Sequence, residues 1–155
     1  IQCSIGWLLQ GTGVQPAILN EASANKRQAI PSSRFQNNIQ IHTAISREIA
    51  VFCESYPDAL YIEVIDDGME PYYFKGDYVA GKRYYREDIP TIAVGKYCIV
   101  ETQMGDILLR HLRHGSKEGY YSLQCTNLLT SVSEPLLYDV ELASAAPVIW
   151  HRRIM

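Results

Sequence analysis

The chain has 155 residues, 47% hydrophobic and 20% charged, with a formal net charge of −3. This length supports one core of useful size, and the composition is that of a globular domain rather than a disordered or fibrous one. The acidic balance argues against the chain as a whole being a nucleic-acid-binding surface. No apolar run approaches the roughly 18 residues of a membrane span, and no basic segment followed by an apolar one opens the chain. The expectation is a cytoplasmic protein without a membrane partner, read as a fragment because it starts at Ile1. Cys3, Cys53, Cys98 and Cys125 lack the close spacing of a zinc site, so free buried thiols are expected and no metal or cofactor.

Ser4 is placed to cap a short helix carrying Trp7, Leu8 and Leu9 and ending at Gly11 and Gly13. Residues 14–42 shift to Gln, Asn, Ser, Ala and Pro without periodicity and read as a linker, with room for a short helix around Asn20 to Gln28. Thr43 to Tyr56 reads as a helix. Ile45, Ile49, Phe52 and Tyr56 share one face, Arg47, Glu48 and Glu54 lie opposite, Thr43 caps it and Pro57 ends it. The remainder reads as strands: Leu60 to Ile65, Tyr78 to Gly81, Lys96 to Thr102, Asp106 to Arg113, Gly119 to Gln124 and Ala146 to Trp150. The architecture expected is mainly β, an antiparallel sheet with one N-terminal helix.

Between the first two strands stands Asp66-Asp67-Gly68-Met69-Glu70-Pro71, followed by Gly76-Asp77 and an apolar strand. This segment resembles the nucleophile turn of the LexA, UmuD and phage-repressor family of self-cleaving proteases, where Ser precedes Met-(Glu or Lys)-Pro. The Trp7-Leu8-Leu9 ending resembles the closing helix of a repressor-type helix-turn-helix domain, and Ala146 to Trp150 resembles the family's closing strand. The resemblance implies a LexA/signal-peptidase-like fold over residues 43–155, after a linker at 14–42 and the end of a DNA-binding domain at 1–13.

The family's chemistry is a serine/lysine dyad in which a neutral lysine takes the serine proton. Here Gly68 stands at the serine position and offers no nucleophile. The matching strand reads Leu108-Leu109-Arg110-His111-Leu112, so Arg110 stands at the lysine position. An arginine stays protonated and cannot act as a general base. Loss of such a unit costs on the order of 10⁶ in turnover. The expectation is therefore a pseudoenzyme with no catalytic residue, its Arg110 paired with a carboxylate of the turn (Asp66, Asp67 or Glu70). Residues 14–42 also lack the Ala-Gly or Cys-Gly bond that self-cleaving relatives cut; Ala80-Gly81 lies after the motif.

Other constellations are weaker. His111 and His114 stand three apart on a strand, which sends them to opposite faces. Asp66, Asp67 and Glu70 lack the alternate spacing of a calcium loop. The run Tyr72-Tyr73-Phe74 and the pair Tyr84-Tyr85 fit a pocket, a dimer face or ordinary packing. The resemblance implies a regulatory and dimerisation domain of a DNA-binding transcription repressor, with Pro147, Val148, Ile149 and Trp150 as the candidate homodimer interface. DNA would be bound through an upstream helix-turn-helix, and an unknown effector has a place in this scheme. The alternatives are an active self-cleaving peptidase and a ligand- or peptide-sensing domain.

Overall fold

The computed structural model describes the backbone of residues 32–154 and the side chains of residues 41–154. The expected helix end within residues 1–13 lies outside the described residues, as does the short helix around Asn20 to Gln28. The chain divides into two units, one ending at Pro57 and the other starting at Asp58.

Helix α1 (Ser32–Ser55) belongs to the first unit. It starts within the stretch read as linker, so Thr43 is an interior residue and not a cap. The run before Thr43 reads as a linker by its polar composition, but it contains no proline after Pro31 to stop a helix growing N-terminally. The expected apolar face is present: Ile45, Ile49 and Phe52 are buried, joined by Cys53, while Tyr56 is exposed. Cys53 is disulfide-bonded, which corrects the expectation of a free thiol there; Cys98 and Cys125 are free and buried. The division at Pro57 also separates this helix from the sheet, where the sequence pattern suggests one domain from residue 43.

The second unit is built on antiparallel strands β1 (Ala59–Glu63), β2 (Tyr78–Lys82), β3 (Tyr84–Tyr85), β4 (Tyr97–Thr102), β5 (Ile107–His114), β6 (Tyr121–Gln124), β7 (Leu136–Val140) and β8 (Leu142–Arg152). A helical turn, Ile89–Ala93, opens with Pro90 preset for it and buries Ile89 and Ala93. The sheet order is β1-β2-β8-β4-β5-β6-β7, with β3 also paired to β8. Among the described residues the fold is thus mainly β, with one α-helix N-terminal to the strands.

Strand β8 is the spine. One side of it meets β3 at Ser144 and Ala145 and β2 from Val148 to Arg152; the other side meets β4 from Leu142 to Pro147. The strand bulges at Ile149 against Ala80 and Gly81, and its pleat sends Ala145 and Ala146 to two cores on opposite faces. One core gathers Ile89, Cys98, Val100, Leu112, Leu123 and Ala145. The second gathers Leu60, Val64, Met69, Val79, Ile99, Leu109 and Ala146, and carries the motif turn on its surface.

The place of β8 bears on the expected interface: β4 takes one side of the strand as far as Pro147, β2 takes the other side from Val148 onward, and no strand pairs the β4 side of Val148 to Trp150 among the described residues. Pro147 is buried in the sheet and Val148 packs against the second core. Of the four, Ile149 is 55% exposed and projects at the bulge.

Candidate functional site

The motif occupies the excursion between β1 and β2. Its ends are drawn together by Val64 N–H donating to Asp77 O at 2.7 Å and Gly76 N–H to Val64 O at 2.7 Å. Gly76 sits at φ +93°, a conformation that a side chain strains. Met69, fully buried, anchors the turn in the second core, and its carbonyl accepts the N–H groups of Tyr72 and Tyr73. Pro71 follows a cis peptide bond and is exposed.

Arg110, on β5, reaches into this turn while itself only 4% exposed. Its guanidinium forms a fork with Asp66: Nη2 donates to Oδ2 at 3.0 Å and Nη1 to Oδ1 at 3.3 Å. Nη1 also donates to Leu109 O at 2.6 Å. Of the three carboxylates expected to compete for Arg110, Asp66 makes the pair. Asp66 Oδ1 in addition accepts the Gly68 N–H at 2.9 Å, so one carboxylate shapes the turn and neutralises the buried cation.

Gly68 is buried in the angle between these groups. A Cβ added there would stand 2.7 Å from Cys125 Sγ, 3.0 Å from Asp66 Oδ1 and 3.4 Å from Arg110 Nη1. The two positions singled out by the sequence are therefore neighbours in space. A sulfur fills the room where a longer side chain at residue 68 would begin. Burial pushes the Cys125 thiol up, with Asp66 and Asp67 adding to the shift and Arg110 opposing it, so it remains a thiol at neutral pH.

The segment after β6, residues 125–132, clamps the turn, a contact without a sequence signal. Thr126 and Asn127 donate their N–H groups to Gly68 O at 2.9 and 3.0 Å, and Asn127 Nδ2 donates to Asp67 O at 2.9 Å. Thr126 Oγ1 donates to Glu70 O at 3.3 Å. The Asp67 carboxylate accepts Thr130 Oγ1 at 2.6 Å and the Ser131 N–H at 2.9 Å. These bonds, Thr130 foremost, hold the Asp67 carboxyl below its usual range. The Asp67 carboxylate thus faces this segment and not Arg110, and Glu70 turns its backbone carbonyl to Thr126.

Asp77 closes the other end of the excursion. It is 1% exposed and accepts the Phe74 N–H at 3.0 Å and His151 Nε2 at 2.8 Å, with Arg153 Nε at 3.6 Å. Burial alone would raise its carboxyl; the Phe74 N–H, His151 and Arg153 together hold it below the usual range.

Between Ile62–Asp66 and Ile107–Leu109 runs a mainly apolar groove of about 200 Å³. It lies between two strand edges that have no partner: β1 ends the sheet, and β5 meets β6 only from His111 onward. His111 Nε2 lies 3.2 Å from Gly95 O. Among the described residues no cluster of three His, Cys, Asp or Glu is disposed to hold a metal, and no helix is long and apolar enough to cross a membrane.

The centre can hold and orient charge. It has no hydroxyl at residue 68, no lysine at residue 110, and a thiol held in its protonated form. No family model, curated protein or solved structure matches the chain.

Proposed function

We propose that the unit from Asp58 onward is a catalytically silent relative of the LexA, UmuD and phage-repressor peptidase domains. In this reading it is the regulatory and dimerising part of a cytoplasmic, DNA-binding transcription repressor whose helix-turn-helix precedes it. The observation that carries the reading is the meeting of Gly68 and Arg110, 42 positions apart in sequence, within one buried contact. That juxtaposition is what a serine/lysine centre requires, and the turn and strand that meet are the segments whose residues carry the resemblance. Both chemical groups are replaced, and the Asp66 fork fixes Arg110 as a structural cation. No cofactor or metal is assigned.

The functional work then falls to dimerisation, since a repressor of this kind reads two half-sites related by a two-fold axis. Ile149, exposed on the stretch of β8 beyond its pairing with β4, marks the surface assigned to the partner copy. Sedimentation at micromolar concentration is expected to give twice the 17.6 kDa chain mass, and Ile149→Asp is expected to shift it toward monomer. A single 17.6 kDa species for the unaltered chain contradicts the reading.

A second reading, a peptide- or ligand-sensing domain, is favoured by the groove between the open edges of β1 and β5. Unpaired strand edges there suit an extended segment added by backbone hydrogen bonds, and the effector of the repressor would enter at this place. The reading as an active self-cleaving peptidase has no observation in its favour.

A further inference from the structure

The rim of the second core, beside the motif turn, carries a continuous set of rings. Tyr72, Tyr97 and His111 follow one another at centroid distances of 5.2 and 5.3 Å. Tyr73 joins Tyr97 at 5.9 Å and His151 at 5.0 Å. Phe74 lies under the Arg153 guanidinium, 4.5 Å from ring centroid to Cζ. Packing accounts for the inner rings but not for Tyr72, 54% exposed, or Phe74, 37% exposed, both at the outer end of the set.

The charge around these rings is opposite to that of the chain. Lys75 follows Phe74, Arg113 shares the face of His111 on β5 and Arg153 lies over Phe74, against one carboxylate in segments 71–77, 111–114 and 150–153 of a chain of net charge −3; Lys96 and Arg152 alternate to the other face. That carboxylate is Asp77, buried and already matched by His151 and Arg153. Glu70 stands just outside, on the side of the turn. Lys75 and Arg113 are exposed. A surface with an excess of cations and two solvent-facing rings suits a polyanion bearing flat groups spaced along it.

We infer that this rim binds single-stranded nucleic acid, with bases stacked on Tyr72 and Phe74 and phosphates tracked by Lys75 and Arg113. Stacking of this kind tolerates any base, because every base presents a π face, so the binding is not sequence-specific. A duplex buries its bases in its own stack and leaves only the phosphates to be read. The inference is independent of the proposed repressor role, which assigns duplex recognition to a different domain.

Fluorescence anisotropy of a labelled oligothymidylate of about 12 nucleotides, titrated with the full chain at about 50 mM salt, tests it. Saturable binding is expected, weakening on addition of salt and several-fold tighter than to a duplex of the same length. Tyr72→Ala and Phe74→Ala are each expected to weaken it about tenfold, in line with the measured worth of one stacked base. Lys75→Glu, which leaves the rings in place, is expected to weaken it and to flatten the salt dependence. Absence of binding overturns the inference. So does equal affinity for duplex, or an unchanged affinity in both ring variants.

Discussion

Two aspartates, one at each end of the same excursion, hold basic side chains from distant strands, and they do so with burial inverted. At the Asp66 end the cation is inside: the Arg110 side chain is 5% exposed and the Asp66 side chain 26%. At the Asp77 end the acid is inside, 2% exposed, while His151 and Arg153 reach solvent at 30% and 45%. A charge that reaches water survives the loss of its partner; a buried one does not. The excursion is therefore locked at one end by a permanent guanidinium that must be neutralised, and at the other by a carboxylate satisfied mainly by the Phe74 backbone and His151.

The largest effect comes from stranding the buried cation. Asp66→Ala leaves Arg110 without its carboxylate and Gly68 N–H without its acceptor, and is expected to cost about 3–5 kcal/mol in urea unfolding. Arg110→Met leaves Asp66 at the rim, where water can solvate it, and is expected to cost clearly less. Equal costs would mean that the inversion of burial has no energetic meaning.

Next is the crowding around Gly68. Gly68→Ala forces a methyl against Cys125 Sγ and Asp66 Oδ1 and is expected to cost about 1–3 kcal/mol. Adding Cys125→Ala removes the nearer obstacle, so the double variant is expected to be more stable than the sum of the two single losses predicts. A simply additive result would show that the sulfur is not what fills the site. The same contact bears on rebuilding a dyad: Gly68→Ser with Arg110→Lys still meets Cys125, so the pair of changes is expected to yield no self-cleavage.

The smallest effects belong to the Asp77 end. His151→Ala leaves Asp77 with the Phe74 N–H and Arg153, and is expected to cost about 1 kcal/mol near neutrality. The sign of the pH dependence is set by a folded carboxyl held lower than the unfolded one. Above the unfolded value of about 3.9 the stabilisation is fully present, and it is lost as pH falls toward the lower folded value. Removing His151 weakens the downward shift, so the stability of the variant should fall less steeply over that acid range. A steeper fall would assign the shift to something other than His151.

The sequence carried the motif turn and its partner strand well. Met69, Gly76 and Asp77 were legible as motif positions, not for the anchoring, turning and closing roles they have, and Arg110 needed a carboxylate on elementary electrostatic grounds. It did not reveal Cys125 or the residues 126–131 that clamp the turn, because a polar loop without periodicity gives no clue to what it touches. The pairing of Asp77 with His151 was equally hidden, spanning most of the domain. Strand β7 was missed because Leu136-Leu137-Tyr138-Asp139-Val140 shows no regular alternation of apolar and polar residues. Strand β8 starts earlier than its apolar run because Ala143 to Ala146 fit a crowded central position by being small rather than strongly β-forming. The helix outgrew its expected start because the polar composition of residues 32–42 reads as a linker, although Phe35 and Ile39 stand one helical turn apart in it.

The meeting of Gly68 and Arg110 is, on this account, a silent centre. Incubation of the purified chain at about pH 10, where a lysine base is half deprotonated, tests it by intact mass. The mass is expected to stay at 17.6 kDa through repeated purification. A pair of fragments cut within residues 14–41, formed at a rate independent of chain concentration and unaffected by added protease inhibitors, would contradict it.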